Sequence, residues 1–341
     1  MHIKNKIPIL LFVIFLLTLV AYIFSLSGTS AAAVIDRVIC EPIISSLSLM
    51  NSLVPFSVFE FICVASPIIL FLAIRYIYRG NGNVHQRFRS VFAFVLMIPT
   101  AYFVTLGIPR GTGKDFVLPD LADSEVFSCA AYLVTKVNED SRFSKSPISS
   151  DSLRSEFAEI HPKTLHGWQL RNINLPKVKK TAYPKIASRL GILAYFSFLT
   201  AEIHINVDIP EYQKPFTFAH EYAHFLGITS EAEAGYFAFL TCSASTMPPV
   251  RYSGNLCALE YMLSDIYNRD AKMYIKLVNS LNSEVKNDIS LANEYFLRYS
   301  SRACYKTFDR LNSSYLSAQD KHSKKSYSIM SKYVASYLLD A

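Results

Sequence analysis

The run Pro215-Phe216-Thr217-Phe218-Ala219-His220-Glu221-Tyr222-Ala223-His224-Phe225-Leu226-Gly227 decides how this 341-residue chain is read. Proline suits the first turn of a helix, where its missing N–H has no intrahelical partner to lose, and glycine suits the residue just past the last turn. Nothing between the two breaks a helix, so the spacing predicts one. On that helix His220 and His224 lie one turn apart on one face and can reach a single metal ion. Glu221, rotated by about 100°, can address a water on that metal. With 8 histidines in the whole chain, chance supplies an HExxH run about 0.008 times. The competing reading is a pair of histidines that only hydrogen-bond in a packed site.

Zinc requires a third protein ligand, and two carboxylates follow in Ser230-Glu231-Ala232-Glu233-Ala234. Ser230 and Glu233 match an S-x-x-E capping box, which gives Glu233 an ordinary task at the start of the next helix. Glu231 is left over, and a tight turn at Gly227 would fold it back toward the metal; its competing role is to favour the dipole of the helix it starts. Glu231 is therefore the preferred third ligand and Glu233 the alternative, with His204 and Asp208 further afield.

Upstream, Ala201 to Asp208 alternates strictly, with Ala201, Ile203, Ile205 and Val207 on one face and Glu202, His204, Asn206 and Asp208 on the other. That is the pattern of a half-buried strand with a polar face. His161 and His166, near Trp168, lie outside any ligand spacing and read as surface or packing residues. Helical patterns follow Gly254, for example Asp270 to Leu281 and Val285 to Ser300.

The first 110 residues carry a different signal. Ile7 to Phe24, Phe56 to Tyr78 and Val91 to Ile108 are apolar runs of a length that crosses about 30 Å of hydrocarbon. The first is longer than the usual apolar core of a secretory signal, although small residues follow at Ser30-Ala31-Ala32-Ala33, so it is expected to be an uncleaved anchor. Pro99 is expected to kink the third run. Lys4, Lys6 and the basic linker Arg79 to Ser90 place the N-terminus and that linker in the cytoplasm. Three spans then carry everything after Pro109 outside.

Composition agrees with a folded membrane protein: 51% hydrophobic and 18% charged residues, against roughly 45–50% and 25% in soluble domains. The net charge of +7 gathers beside apolar runs and in one short lysine patch without interleaved aromatics, which argues against a nucleic-acid face. The six cysteines form no CxxC pair, so neither a cysteine zinc site nor a dithiol redox motif is expected. Disulfides are open to an external domain, with no pairing assigned.

The block His220 to Phe239 resembles the gluzincin metallopeptidases, in which an HExxH helix is followed by a ligand helix bearing Glu-x-x-Ala-Asp or Glu-x-x-Ala-Asn. Glu231-Ala232-Glu233-Ala234 matches, but Gly235 stands where that family has Asp or Asn, which removes an expected support for a zinc-bound histidine. Over most of its length the chain is similar to an uncharacterised bacterial family, a domain of unknown function with three N-terminal membrane helices and an extracytoplasmic zincin-like domain. Pro176-Lys177-Val178-Lys179, Gly191-Ile192, Glu202 to Asn206, Pro215-Phe216-Thr217, Arg251 to Gly254 and Ser326-Tyr327 carry that likeness.

The resemblance implies Zn²⁺ held by His220, His224 and Glu231, with Glu221 as the catalytic base in peptide-bond hydrolysis. It also implies that the strand Ala201 to Asp208 is the edge that pairs with extended peptide. His204 or Tyr252 would polarise the substrate carbonyl. The expected architecture is an α+β zincin-like domain over residues 111–341, mainly helical in its C-terminal part, on a three-helix anchor over residues 1–110. Its partners would be a peptide or protein substrate and the lipid bilayer, and its place the cell membrane, multi-pass, with the catalytic domain extracytoplasmic. The alternative is a catalytically inactive relative that binds a peptide or an envelope component.

Overall fold

A computed structural model describes residues 2–25, 33–81, 83–107, 120–164, 168, 170–299 and 326–340. The small-residue segment at 30–32, Ile108, His166, Ser300 and Cys304 lie outside the described residues. The chain is mostly helical with one three-stranded sheet.

Helix α1 (His2–Ser25) is followed by a π-helical turn, Asp36–Cys40, that leads into α2 (Glu41–Ser52). Helix α3 (Val58–Arg79) starts at Ser57, whose hydroxyl accepts the Glu60 N–H at 2.9 Å. Helix α4 (Val84–Val95) is capped by Asn83 and gives way at Leu96 to α5 (Met97–Tyr102). The break has a local cause, since Pro99 has no N–H to offer the Val95 carbonyl and its ring crowds that group. A second π-helical turn, Phe103–Gly107, ends this part.

Three stretches here, Lys6–Phe24, Val58–Arg79 and Val84–Leu106, are long and apolar enough to cross a membrane. The third begins at Val84, where the sequence was expected to remain a polar linker as far as Ser90. Arg87, expected in that linker, is buried and turns its guanidinium onto the carbonyls of Ile77 and Gly80 at the end of α3. A cation consumed by backbone acceptors does not stop a helix.

One end of this bundle is bolted to the sheet. Tyr22 of α1 stacks on Phe103 with centroids 4.8 Å apart, and the Thr105 hydroxyl donates to the Phe198 carbonyl at 2.9 Å. At the start of α3 the N–H groups of Val58 and Phe59 donate to the Glu202 carboxylate at 3.1 and 2.9 Å. That carboxylate also receives Lys179 and Thr200. Glu60 accepts from Thr181, from the Ala182 N–H and from the Tyr195 hydroxyl.

The remainder runs α6 (Asp123–Asp140), α7 (Ser150–Thr164), β1 (Val178–Lys180), α8 (Pro184–Arg189), β2 (Ala194–Ser197), β3 (Glu202–Ile205), α9 (Gln213–Phe225) and α10 (Glu231–Ser243). Then come α11 (Pro248–Arg269), α12 (Ala271–Asn279), α13 (Ser283–Tyr299) and α14 (Ser326–Asp340). Helix α11 packs against α6, α9, α10 and α14. Between them Leu133, Tyr222, Phe225, Phe237, Phe239 and Tyr252 are fully buried, each large side chain contributing roughly 2 kcal/mol of apolar transfer. The five described cysteines are free thiols.

The sheet corrects the strand reading. Its order is β1-β3-β2, so β3 is central, parallel to β1 and antiparallel to β2, and it is not the edge. The strand is also shorter than its alternation. Ala201 sits in the left-handed region at φ 53° in the turn before it, and just past its end the Asn206 side-chain oxygen accepts the Asp208 N–H at 3.1 Å, turning the chain away.

Nor does its polar face meet water: Glu202, His204 and Asn206 are all buried. Asn206 donates to Ser188 and to backbone carbonyls of Pro184 and Ile192. The His204 ring stacks on Tyr195 with centroids 4.5 Å apart. Burial drives its pKa down to about 4, so it is neutral at physiological pH.

A buried ion pair ties the N-terminal part to the helix that carries the HExxH run. Asp36 and Arg171, both with side chains at 0% exposure, meet at 2.8 Å, and the same guanidinium donates to the Phe225 carbonyl at 3.0 Å. Asp36→Ala would strand the arginine charge in the interior. It is expected to lower stability by about 3–5 kcal/mol, read by denaturant unfolding of the full chain in detergent; a loss under about 1 kcal/mol would mean that water reaches the pair.

Candidate metal centre

Helix α9 begins two residues before Pro215, which therefore sits in the first turn as expected. The Phe216 N–H, near the start of the helix, is taken by the Ser253 hydroxyl of α11 at 3.0 Å. At the other end Gly227 has φ 101°, a conformation that favours glycine. Gly227 N–H reaches the His224 carbonyl at 3.1 Å and Ile228 N–H the Ala223 carbonyl at 2.9 Å. This pair of bonds is a Schellman motif.

The same turn orients the second histidine. His224 Nδ1 lies 2.8 Å from the Ile228 carbonyl, which can only accept, so Nδ1 carries the proton and Nε2 presents its lone pair. From Ile228 the chain returns through Thr229 and Ser230 to start α10 at Glu231. His220 Nε2, His224 Nε2 and Glu231 thereby converge, their ligand atoms all within 4.8 Å of one another. The separations are 3.2 Å between the two Nε2 atoms, 3.1 Å from His220 to Glu231 Oε2 and 3.6 Å from His224 to Glu231 Oε1.

These distances pass a test of fit. Ligand atoms about 2.0–2.1 Å from a tetrahedral ion stand about 3.3 Å apart. Two imidazole nitrogens and a carboxylate at that spacing are a donor set suited to zinc, with a fourth position open toward the cavity. Burial works to raise the Glu231 carboxyl, and the two histidines outweigh it and hold it down to about 2. Glu233 is outside this group, as are His204 and Asp208.

Glu221 lies on the same helix and lines the same cavity. Burial pushes its pKa up to about 7, while His224 and the nearby Phe196 backbone of β2 pull it down. A carboxylate so placed exchanges protons readily near neutrality. The cavity, of about 590 Å³, has three walls: the segment Gly191 to Phe196, one face of α9, and the Cys257, Glu260 and Tyr261 face of α11.

Two expectations about the carbonyl-polarising group fail. His204 is stacked inside the sheet, and Tyr252 is fully buried with its hydroxyl donating to Asp288 at 2.7 Å. Neither lines the cavity. The Gly235 departure has a packing reason: a Cβ there would come within 2.9 Å of Met330 Sδ, so α14 occupies the space that a longer residue would need. Ser230 takes the N-cap position of α10, but its side chain makes no capping hydrogen bond.

Glu231→Gln is expected to weaken zinc binding more than about 100-fold, whereas Glu233→Gln changes it little. Competition against a chromophoric chelator on the purified full chain measures both. Equal affinity in the two variants would break the assignment of Glu231.

A family model described as "Protein of unknown function (DUF3810)" matches residues 36–335, which span the ion pair, the sheet, the converging His and Glu side chains and most of α14. No curated protein and no solved structure matches the chain. The chain belongs to the DUF3810 family of proteins of unknown function.

Proposed function

We propose that this chain is a membrane-anchored zinc metallopeptidase whose domain beyond residue 110 works outside the cytoplasm. The observation that carries the reading is the convergence of His220, His224 and Glu231 at tetrahedral spacing beside Glu221, in a cavity wide enough for peptide.

Zinc at these three residues would act as a Lewis acid and make water acidic enough to lose a proton near neutral pH. Glu221 takes that proton as the water attacks the peptide carbonyl, then delivers it to the leaving amine. Peptide would be held in extended form on the outer edge of β2, the strand that lines the cavity, and not on β3. The Asn206 N–H donates to the Leu193 carbonyl at 2.9 Å, so in this register the Tyr195–His204 pair is hydrogen-bonded and Ala194 and Phe196 are the positions whose backbone faces outward. Their outward N–H and C=O groups are the backbone contacts offered to substrate.

The membrane orientation rests on charge. Arg75, Arg79 and Arg89 lie around the α3–α4 connection, the end of the bundle away from the sheet, and cytoplasmic ends of spans are enriched in Lys and Arg. The sheet end, with everything joined to it, then faces outward.

Glu221→Gln should reduce turnover of a peptide mixture by about 10²–10⁴-fold while zinc content stays at the wild-type level. Equal turnover by both proteins would remove Glu221 from the chemistry. For orientation, a reporter fused after Ala341 is expected to be active only when it folds outside the cytoplasm; cytoplasmic activity would reverse the topology.

A further inference from the structure

The α9 and α11 walls of the cavity carry a polar pair that is unbalanced. Gln213, at the start of α9, is buried and lines the cavity, yet its Oε1 has no hydrogen-bond partner among the described residues. The orientation of that amide is fixed by its neighbours. Gln213 Nε2 donates to the Tyr212 hydroxyl at 3.3 Å, and the hydroxyl donates onward to Glu260 Oε1 at 3.1 Å. Turning the amide over would set a carbonyl oxygen against a hydroxyl whose proton is already engaged. Among the described residues Gln213 Oε1 is therefore an acceptor without a donor, and Glu260, reached there by Tyr212 alone, is a carboxylate with unused acceptor capacity.

A buried acceptor left unpaired is costly, and the half-buried Glu260 carboxylate beside it has acceptor capacity to spare. One on the α9 wall and the other, Glu260, on the α11 wall fit a ligand that carries several N–H donors and a positive charge. Among the described residues that line the cavity there is no lysine or arginine to supply one. Burial also pushes Glu260 up to about 7, as expected of a carboxylate with no resident cation.

We propose that Gln213 Oε1 and Glu260 form a recognition site for an ammonium or guanidinium group of the substrate. The site rests on the metallopeptidase reading for its substrate class but not for its chemistry. Gln213 precedes His220 by seven residues, or about 10 Å of helix rise. An extended peptide advances about 3.3 Å per residue, so the group belongs to a lysine or arginine side chain near the scissile bond, or to an N-terminal amine a few residues away. The inactive alternative reading would use the same site to hold a basic peptide.

The test uses full-length protein in detergent micelles, loaded with zinc. Dye-labelled peptides carrying Lys or Arg are compared with counterparts carrying norleucine or citrulline, each with a free or an acetylated N-terminus. Binding is read by anisotropy in the Glu221→Gln background, and turnover is read in the otherwise wild-type chain. Cationic peptides are expected to bind about tenfold tighter than their neutral counterparts, and the preference is expected to vanish in Glu260→Gln and to shrink in Gln213→Met. A preference lost on acetylation assigns the site to the N-terminal amine, and one that survives assigns it to the side chain.

Zinc content and unfolding midpoint check that the variants fold, and butylamine as a competitor in the Glu221→Gln protein with unaltered Gln213 and Glu260 gives a second measure. Butylamine competing with the cationic peptides but not in the Glu260→Gln variant supports the site. No preference for cationic peptides, or a preference intact in folded Glu260→Gln, overturns it. Turnover without preference sinks this proposal alone, and preference without turnover sinks the peptidase reading alone.

Discussion

A helix that ends in the interior must find partners for its last carbonyls, and the helix bearing His220 and His224 does so almost residue by residue. The Tyr222 carbonyl takes the Leu226 N–H, Ala223 takes Ile228, and His224 takes Gly227. Phe225 takes the Arg171 guanidinium, and Leu226 takes the Arg171 backbone N–H at 3.0 Å. Asp36 neutralises the cation that this scheme brings inside. The convergence of His220, His224 and Glu231 depends on this closure, since the turn that completes it also holds His224 by Nδ1 and sends the chain back to Glu231.

The cavity inherits its character from the three elements that bound it. Helix α9 presents Gln213, Phe216, Thr217, His220, Glu221 and His224, which recur at helical spacing on one face. Helix α11 answers with Cys257, Glu260 and Tyr261. The third wall is β2, whose other side is buried against β3 and, through β3, against the start of α3. Glu60 at the start of α3 accepts directly from Tyr195 of β2, so a displacement of α3 relative to the sheet would reach this wall of the cavity.

The sequence made local features legible and hid those that depend on distant partners. Proline and glycine marked the HExxH helix to within two residues, and the capping argument favoured Glu231 over Glu233 even though Ser230 makes no side-chain cap. The alternation at 201–208 misled because a central strand with polar partners on its polar face looks like a half-exposed one: Lys179, Ser188 and the N-terminus of α3 satisfy what water was expected to satisfy. Arg87 misled in the same way, its charge hidden by carbonyls ten and seven positions back. Asp36 with Arg171 and Gln213 with Glu260 are separated by long stretches of chain, so no local pattern connects them.

Leu106, at the far end of the third apolar stretch, is both the last residue of that stretch and part of the cavity wall. The neighbouring Thr105 is fastened to the turn between β2 and β3. The cavity thus has no linker separating it from the point where this helix leaves its apolar surroundings. If that stretch crosses a bilayer and the cavity takes polypeptide, as proposed, the cavity would act as a gauge of fixed height: a chain rooted in the same membrane would present only the segment at that height, and a freely diffusing one would have to lie flat along the lipid surface to enter.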